Sequence, residues 1–183
     1  MEETPEFYDQ ITKDFGSKIQ DGSAGIDMYC IHIKPEHLVE FCTFIKNDPL
    51  LRFNFLADMC GFDHYPELRR FEVIYHLYSI PFKLRLRVKC RLDDPEKGQL
   101  PHIPTVTNVW RTANWHERET YDMYGITFDG HPNMQRIYMW EEFEGYPMRK
   151  DFPTKGYKDA YNPFGEELTP EQSDEIKGRG SIH

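Results

Sequence analysis

The sequence predicts an α+β fold, on three observations. Residues 82–92, FKLRLRVKCRL, alternate without error: Leu84, Leu86, Val88, Cys90 and Leu92 against Lys83, Arg85, Arg87, Lys89 and Arg91. Period two of that kind is a strand with one buried face. Residues 34–48 instead repeat at helical spacing, through Leu38, Phe41, Cys42 and Ile45. Residues 114–124 then carry helix signals at both ends.

In chain order, Pro35 suits the first turn of the 34–48 helix, where its missing N–H costs nothing, and Asp48-Pro49 ends it. Residues 52–67 read as a short strand and a loop. Residues 70–80, RFEVIYHLYSI, are β-branched and aromatic, hence a strand. The short link to 82–92 makes an antiparallel hairpin the simplest pairing. Loop follows, with one more short strand expected over 105–109. Asn114 is placed as an N-cap with Glu117 three residues on, a capping box worth roughly 0.5–2 kcal/mol. Gly125 is placed to stop that helix at C′. Asp129-Gly130 is a turn, and residues 136–143, RIYMWEEF, fit helix and strand equally. From about Glu141 the character changes to Pro, Gly and mixed charge without period, which cannot bury itself well. The boundaries expected are a globular domain over 1–140 and a partner-binding tail over 141–183. Tyr146, Phe152, Tyr157, Tyr161 and Phe164 supply that tail with anchors. It is expected to be mobile in the isolated chain and ordered against a partner, most firmly at residues 146–153 and least at 178–183.

Composition narrows the function. The 183 residues suffice for one domain with a real core. A net charge of −9 repels a polyanion, which argues against nucleic acid. Aromatics at 15% suit either a rich core or an interface. The acidic opening MEETPEFYDQ resembles neither a secretory signal nor a transit peptide, and no run reaches the ~20 apolar residues of a membrane span. Cys30, Cys42, Cys60 and Cys90 are scattered, with no CxxC, so they read as reduced, buried thiols rather than cluster or zinc ligands.

Three constellations carry weight. On the 82–92 strand neighbouring cations lie about 7 Å apart and repel by roughly 0.6 kcal/mol each in water. A solvated face tolerates that; an acidic partner surface would also explain it. The 114–124 helix interleaves charges and aromatics with no apolar stripe, and its Glu119 and Asp122 need a cation between them. Arg118, Arg111 and Arg136 are the candidates. His116 and Glu119, at i and i+3, form a possible metal pair, yet nothing is spaced to supply a third ligand. No nucleophile motif and no phosphate-binding glycine loop occur.

Glu117-Arg118-Glu119, Asp122, Met123-Tyr124, six residues and then His131 resemble the signature of the C-type, thirty-kilodalton subunit family of NADH-quinone oxidoreductase, respiratory complex I. The likeness continues through GITFDGHPN, RIYM and EGYPMRKDFP, spanning roughly 110–153, and more loosely through FNFLADMCGFDHYPE. Gln135 departs from the basic residue usual there. The resemblance implies a mixed β-sheet flanked by helices, with an extended C-terminal tail. It also implies a non-catalytic scaffold in the peripheral arm of a proton-pumping NADH-quinone oxidoreductase, at the cytoplasmic face of the cell membrane and touching that membrane only through the complex. The partners so implied are the D-type subunit, which holds the quinone site, and the iron–sulfur subunits of types B and I. FMN, iron–sulfur clusters and quinone belong to partner subunits, with none bound here. The implied interface comprises Glu117, Arg118, Glu119, Asp122, Gly125, His131, Pro132, Arg136, Gly145, Pro147, Arg149, Lys150, Asp151, Phe152 and Pro153. Two alternatives stay open: the same subunit type in a ferredoxin-, F420- or hydrogen-fed relative, and a free-standing metalloenzyme using His116 and Glu119.

Overall fold

The computed structural model describes residues 5–96, 99–159, 161–167 and 169. Its elements run helix α1 (Glu6–Phe15), strands β1 (Ile19–Ala24) and β2 (Tyr29–Ile33), helix α2 (Leu38–Asn47), and strands β3 (Phe55–Asp63), β4 (Phe71–Ser79), β5 (Leu84–Arg91) and β6 (His102–Pro104). Helix α3 (Ala113–Tyr124) and strand β7 (Thr127–Asp129) follow. The main sheet has the order β1-β2-β5-β4-β3. It is mixed, because β2 runs parallel to β5 while the other neighbours pair antiparallel.

Alternation decides which face is core. Val73, Tyr75 and Leu77 of β4 and Leu86, Val88 and Cys90 of β5 are buried. They join Ile11 and Phe15 of α1 and Leu38, Phe41, Cys42 and Ile45 of α2 in one apolar cluster. The opposite face holds the cations of β5, and carboxylates neutralise two of them. Arg87 pairs with Asp27 at 3.0 Å and Arg91 with Glu67 at 2.9 Å, while Arg85 lies over the Tyr78 ring. Lys83 is not on the strand; it sits in the hairpin turn with φ 56°.

Several local expectations change. Residues 5–33, for which no element was expected, supply α1, β1 and β2, and Phe7, Ile11 and Phe15 recur at helical spacing on α1. β3 is longer than the short strand expected, because 55–63 pairs with β4 along its length apart from a bulge at Ala57. Residues 105–109 form no strand. The short strand lies just before them, where 102–104 pair in parallel with β7, and Val109 and Trp110 instead turn back to donate to the Val106 carbonyl. α3 starts at Ala113 behind Thr112, with no side-chain cap, so Asn114 does not cap it. Gly125 ends it in the left-handed conformation at φ 69°, as its position demanded.

α3 crosses edge strand β3 at Gly61. A Cβ there would lie 2.7 Å from the Tyr124 ring and 3.0 Å from Thr120. Gly61→Ala should therefore push the helix off the strand and cost about 1–3 kcal/mol. A chemical-denaturation midpoint unchanged from wild type would contradict this packing.

Candidate functional site

Four residues of α3 were expected at an interface, and the structure divides them. Glu117 and Asp122 are fully buried inside this chain, whereas Arg118 and Glu119 remain half-exposed. Within this chain both carboxyl groups are enclosed, and their polar atoms are answered at home.

Asp122 gathers the RIYM run. It accepts from Arg136 Nη1 at 2.8 Å and from the backbone N–H groups of Ile137, Tyr138 and Met139 at 3.0, 2.7 and 3.0 Å. Three successive N–H groups and one guanidinium make a closed anion nest, so the partner foreseen for Asp122 is Arg136 rather than Arg118. Arg136 goes on to the Gly145 carbonyl at 3.0 Å and lies 5.0 Å over the Tyr146 ring. The residue thus links helix, RIYM run and tail.

Among the described residues Glu117 has no cation partner. It accepts from Thr105 Oγ1 at 2.5 Å and from the Val106 N–H at 2.8 Å. Burial is the main influence on its carboxyl, pushing it up to about 7, against those two hydrogen bonds. These contacts also explain the missing cap, because they turn Glu117 inward, away from the helix start.

Arg118 donates Nε to the Gln135 carbonyl at 3.1 Å and lies 4.9 Å over the Trp115 ring. That contact uses the backbone of Gln135, so the departure at its side chain leaves it intact. Among the described residues Arg118 has no carboxylate partner. His131 lies within hydrogen-bond reach of the Asn114 carbonyl through Nε2 and accepts from the Asn133 N–H at Nδ1. It therefore pins the 131–133 turn, with exposed Pro132, to the start of α3. Burial, more than the nearby Arg118 charge, holds His131 below its usual pKa.

The first part of the tail docks on its own chain. Arg149 donates Nε to the Tyr124 carbonyl at 2.6 Å, and the Lys150 N–H reaches buried Asp63 at 2.7 Å. Asp151 receives Arg70 through two bonds of 2.7 Å. Phe152 stacks on Phe143 with centroids 5.9 Å apart and meets the Tyr157 ring at 5.2 Å. Gly145, at φ 84°, brings the backbone close to the Phe152 ring. Pro147 and Pro153 are half-buried along the same run. The anchors at Tyr146 and Phe152 were visible in the sequence; that they land on this same chain was not. Residues 178–183 lie outside the described residues.

His116, half of the possible metal pair, lies 3.7 Å from Asp58. Among the described residues no group of three His, Cys, Asp or Glu side chains is placed to hold a metal ion. Cys42 and Cys90 are buried thiols pushed up by desolvation, and Cys60 is exposed. None of the described helices is long and apolar enough to cross a membrane.

The Asp122–Arg136 pair and the separate contacts of Glu117 and His131 thus tie the signature residues to their own chain, and all four fall within a stretch that a known family matches. Residues 31–158 match the family described as "Respiratory-chain NADH dehydrogenase, 30 Kd subunit". The chain belongs to that 30 kDa subunit family. It is 56% identical over 168 residues to the C 2 subunit of NADH-quinone oxidoreductase of Rhizobium meliloti (strain 1021), covering 92% of this chain and 90% of the relative. The C 2 subunit of the Rhizobium etli (strain CIAT 652) enzyme is 57% identical over 171 residues, with 92% and 88% covered. Among solved structures, the fold is similar to a chain of the membrane-bound sulfane sulfur reductase, an archaeal respiratory membrane complex. The TM-score is 0.67 at 23% identity, over 81% of this chain and 85% of that one. As a member of the 30 kDa family, the chain has the α+β, mixed-sheet architecture expected from its resemblance.

Proposed function

We propose that this chain is a non-catalytic scaffold in the peripheral arm of an NADH-quinone oxidoreductase, on the cytoplasmic face of the cell membrane. It packs beside the D-type subunit, which holds the quinone site, and the iron–sulfur subunits of types B and I. FMN, the clusters and quinone sit in partner subunits. The observation that carries the reading is 56% identity to a C-type subunit of such an enzyme across nine-tenths of both chains. The site geometry supports it. The buried charges of α3 are spent on holding the chain together, and what α3 leaves half or fully exposed is suited to contact.

That contact surface begins at Trp115, 63% exposed, with Arg118 stacked on it and Tyr138, 62% exposed, on the run that Asp122 gathers. Trp, Tyr and Arg are the residues whose truncation costs most at interfaces. Glu119 and the tail residues Lys150 and Pro153 extend the proposed surface.

A pull-down of the tagged chain in mild detergent, with mass-spectrometric identification, tests this. Quinone-site and iron–sulfur subunits should co-purify in stoichiometric amounts, and recovery of the chain alone would end the proposal. The purified chain should also show no flavin or iron–sulfur absorbance; a stoichiometric metal would revive the enzyme reading. Trp115→Ala and Arg118→Ala should each lower complex yield on native gels, at a cost of about 1–2 kcal/mol in binding, while the chain's circular dichroism stays unchanged. Wild-type yield from both variants would remove α3 from the interface.

A further inference from the structure

We propose that residues 145–152 are a strap that closes on the chain's own body without any partner, with Arg70 as its latch.

Arg70 precedes β4, and its guanidinium is shared between two carboxylates. Nε and Nη2 reach the two oxygens of Asp63 at 2.7 Å each, while Nη1 and Nη2 reach the two oxygens of Asp151 at 2.7 Å each. Both contacts use the planar fork that only arginine supplies. The body side of the latch is fixed: Asp63, at the end of β3, is 3% exposed and also accepts the Tyr65 N–H. The same carboxylate takes the Lys150 N–H at 2.7 Å, so one buried anion holds the latch and the strap backbone together. The strap side is adjustable, since the Asp151 side chain is 46% exposed.

A second anchor lies at the other end. Tyr146 is buried between the Arg136 and Arg149 guanidiniums, 5.0 and 4.6 Å from its ring. Arg149 also covers the Phe71 ring of β4 at 4.8 Å. The Met148 N–H donates to the Met123 carbonyl at the end of α3. Every one of these partners belongs to this chain. Fixing a free segment costs about 1–2 kcal/mol of backbone entropy per residue. A strap already closed has met that cost before association and so lowers the ordering term a partner must overcome. This inference stands apart from the proposed function, because it concerns the isolated chain.

Hydrogen–deuterium exchange of the full isolated chain, read by mass spectrometry on peptides covering 146–152, tests it. In the wild type these amides should exchange at least about tenfold slower than the unstructured-chain rate. Asp151→Asn, which spares the buried Asp63–Arg70 pair, should speed them about threefold and leave β5 unchanged, a modest effect because that carboxylate is half in water. Arg70→Lys keeps a cation beside Asp63 but loses the fork, and should open the strap further. Wild-type exchange at the unstructured rate would overturn self-closure. Unchanged exchange in Asp151→Asn would overturn the latch, whether or not Arg70→Lys folds.

Discussion

Asp122→Ala should cost about 3–5 kcal/mol of folding stability, the range for breaking a buried ion pair. Total stabilities of single domains are about 5–15 kcal/mol, so much of the margin goes with this one side chain. Asp122 has no exposed surface and accepts four hydrogen bonds, three from consecutive backbone N–H groups. Removing it leaves the Arg136 cation unpaired, at 15% side-chain exposure, together with three unanswered donors. The 136–139 run, and the Gly145 carbonyl that Arg136 also holds, should come loose with it. Urea unfolding followed by circular dichroism measures the loss; a change below about 0.5 kcal/mol would mean that the nest is dispensable. A role in assembly is proposed instead for Arg118, which has no carboxylate partner among the described residues.

Glu117→Gln should flatten part of the pH dependence of stability. Burial raises the Glu117 carboxyl to about 7 in the fold, against 4.5 in the unfolded chain. Between those two values the native state holds a proton that the unfolded state has lost, so stability falls as pH rises. The contribution is fully present below pH 4.5 and is lost by about pH 7, amounting to about 3 kcal/mol across that window. Glutamine keeps an acceptor for the Val106 N–H and never ionises. Unfolding midpoints of wild type and variant at pH 5 and pH 8 isolate the effect, since every other titrating group is common to both. The variant should gain on the wild type at pH 8 and not at pH 5. Equal differences at the two values would mean that Glu117 stays ionised in the fold.

Elements whose pattern is local can be read directly from the chain. The β4–β5 hairpin was legible because residues 82–92 alternate without error, and α2 because its apolar residues return every third or fourth position. Gly125 could be placed because only a residue free of Cβ strain ends a helix in the left-handed conformation cheaply. The family was legible by resemblance, because Glu117-Arg118-Glu119, Asp122, Met123-Tyr124 and His131 stand at the spacing of its signature. Tertiary structure alone decided which partner each polar group takes. Asn114 and Glu117 have the form of a capping box, yet Glu117 takes two hydrogen bonds inside the core, from Thr105 and Val106, instead of one at a helix end. β1 and β2 carry weak periods; β2 pairs on the edge that β5 offers, and β1 pairs in turn on β2. The tail shows most clearly what pattern reading misses. Residues 145–152 have no period and cannot fold on themselves, so composition alone marks them as unstructured. Asp63, Arg70 and Tyr124, roughly twenty to ninety residues earlier in the chain, supply the charges and carbonyl that hold them. Pairing over such separations is set by the shape of the folded sheet and helix, which no local window of sequence contains.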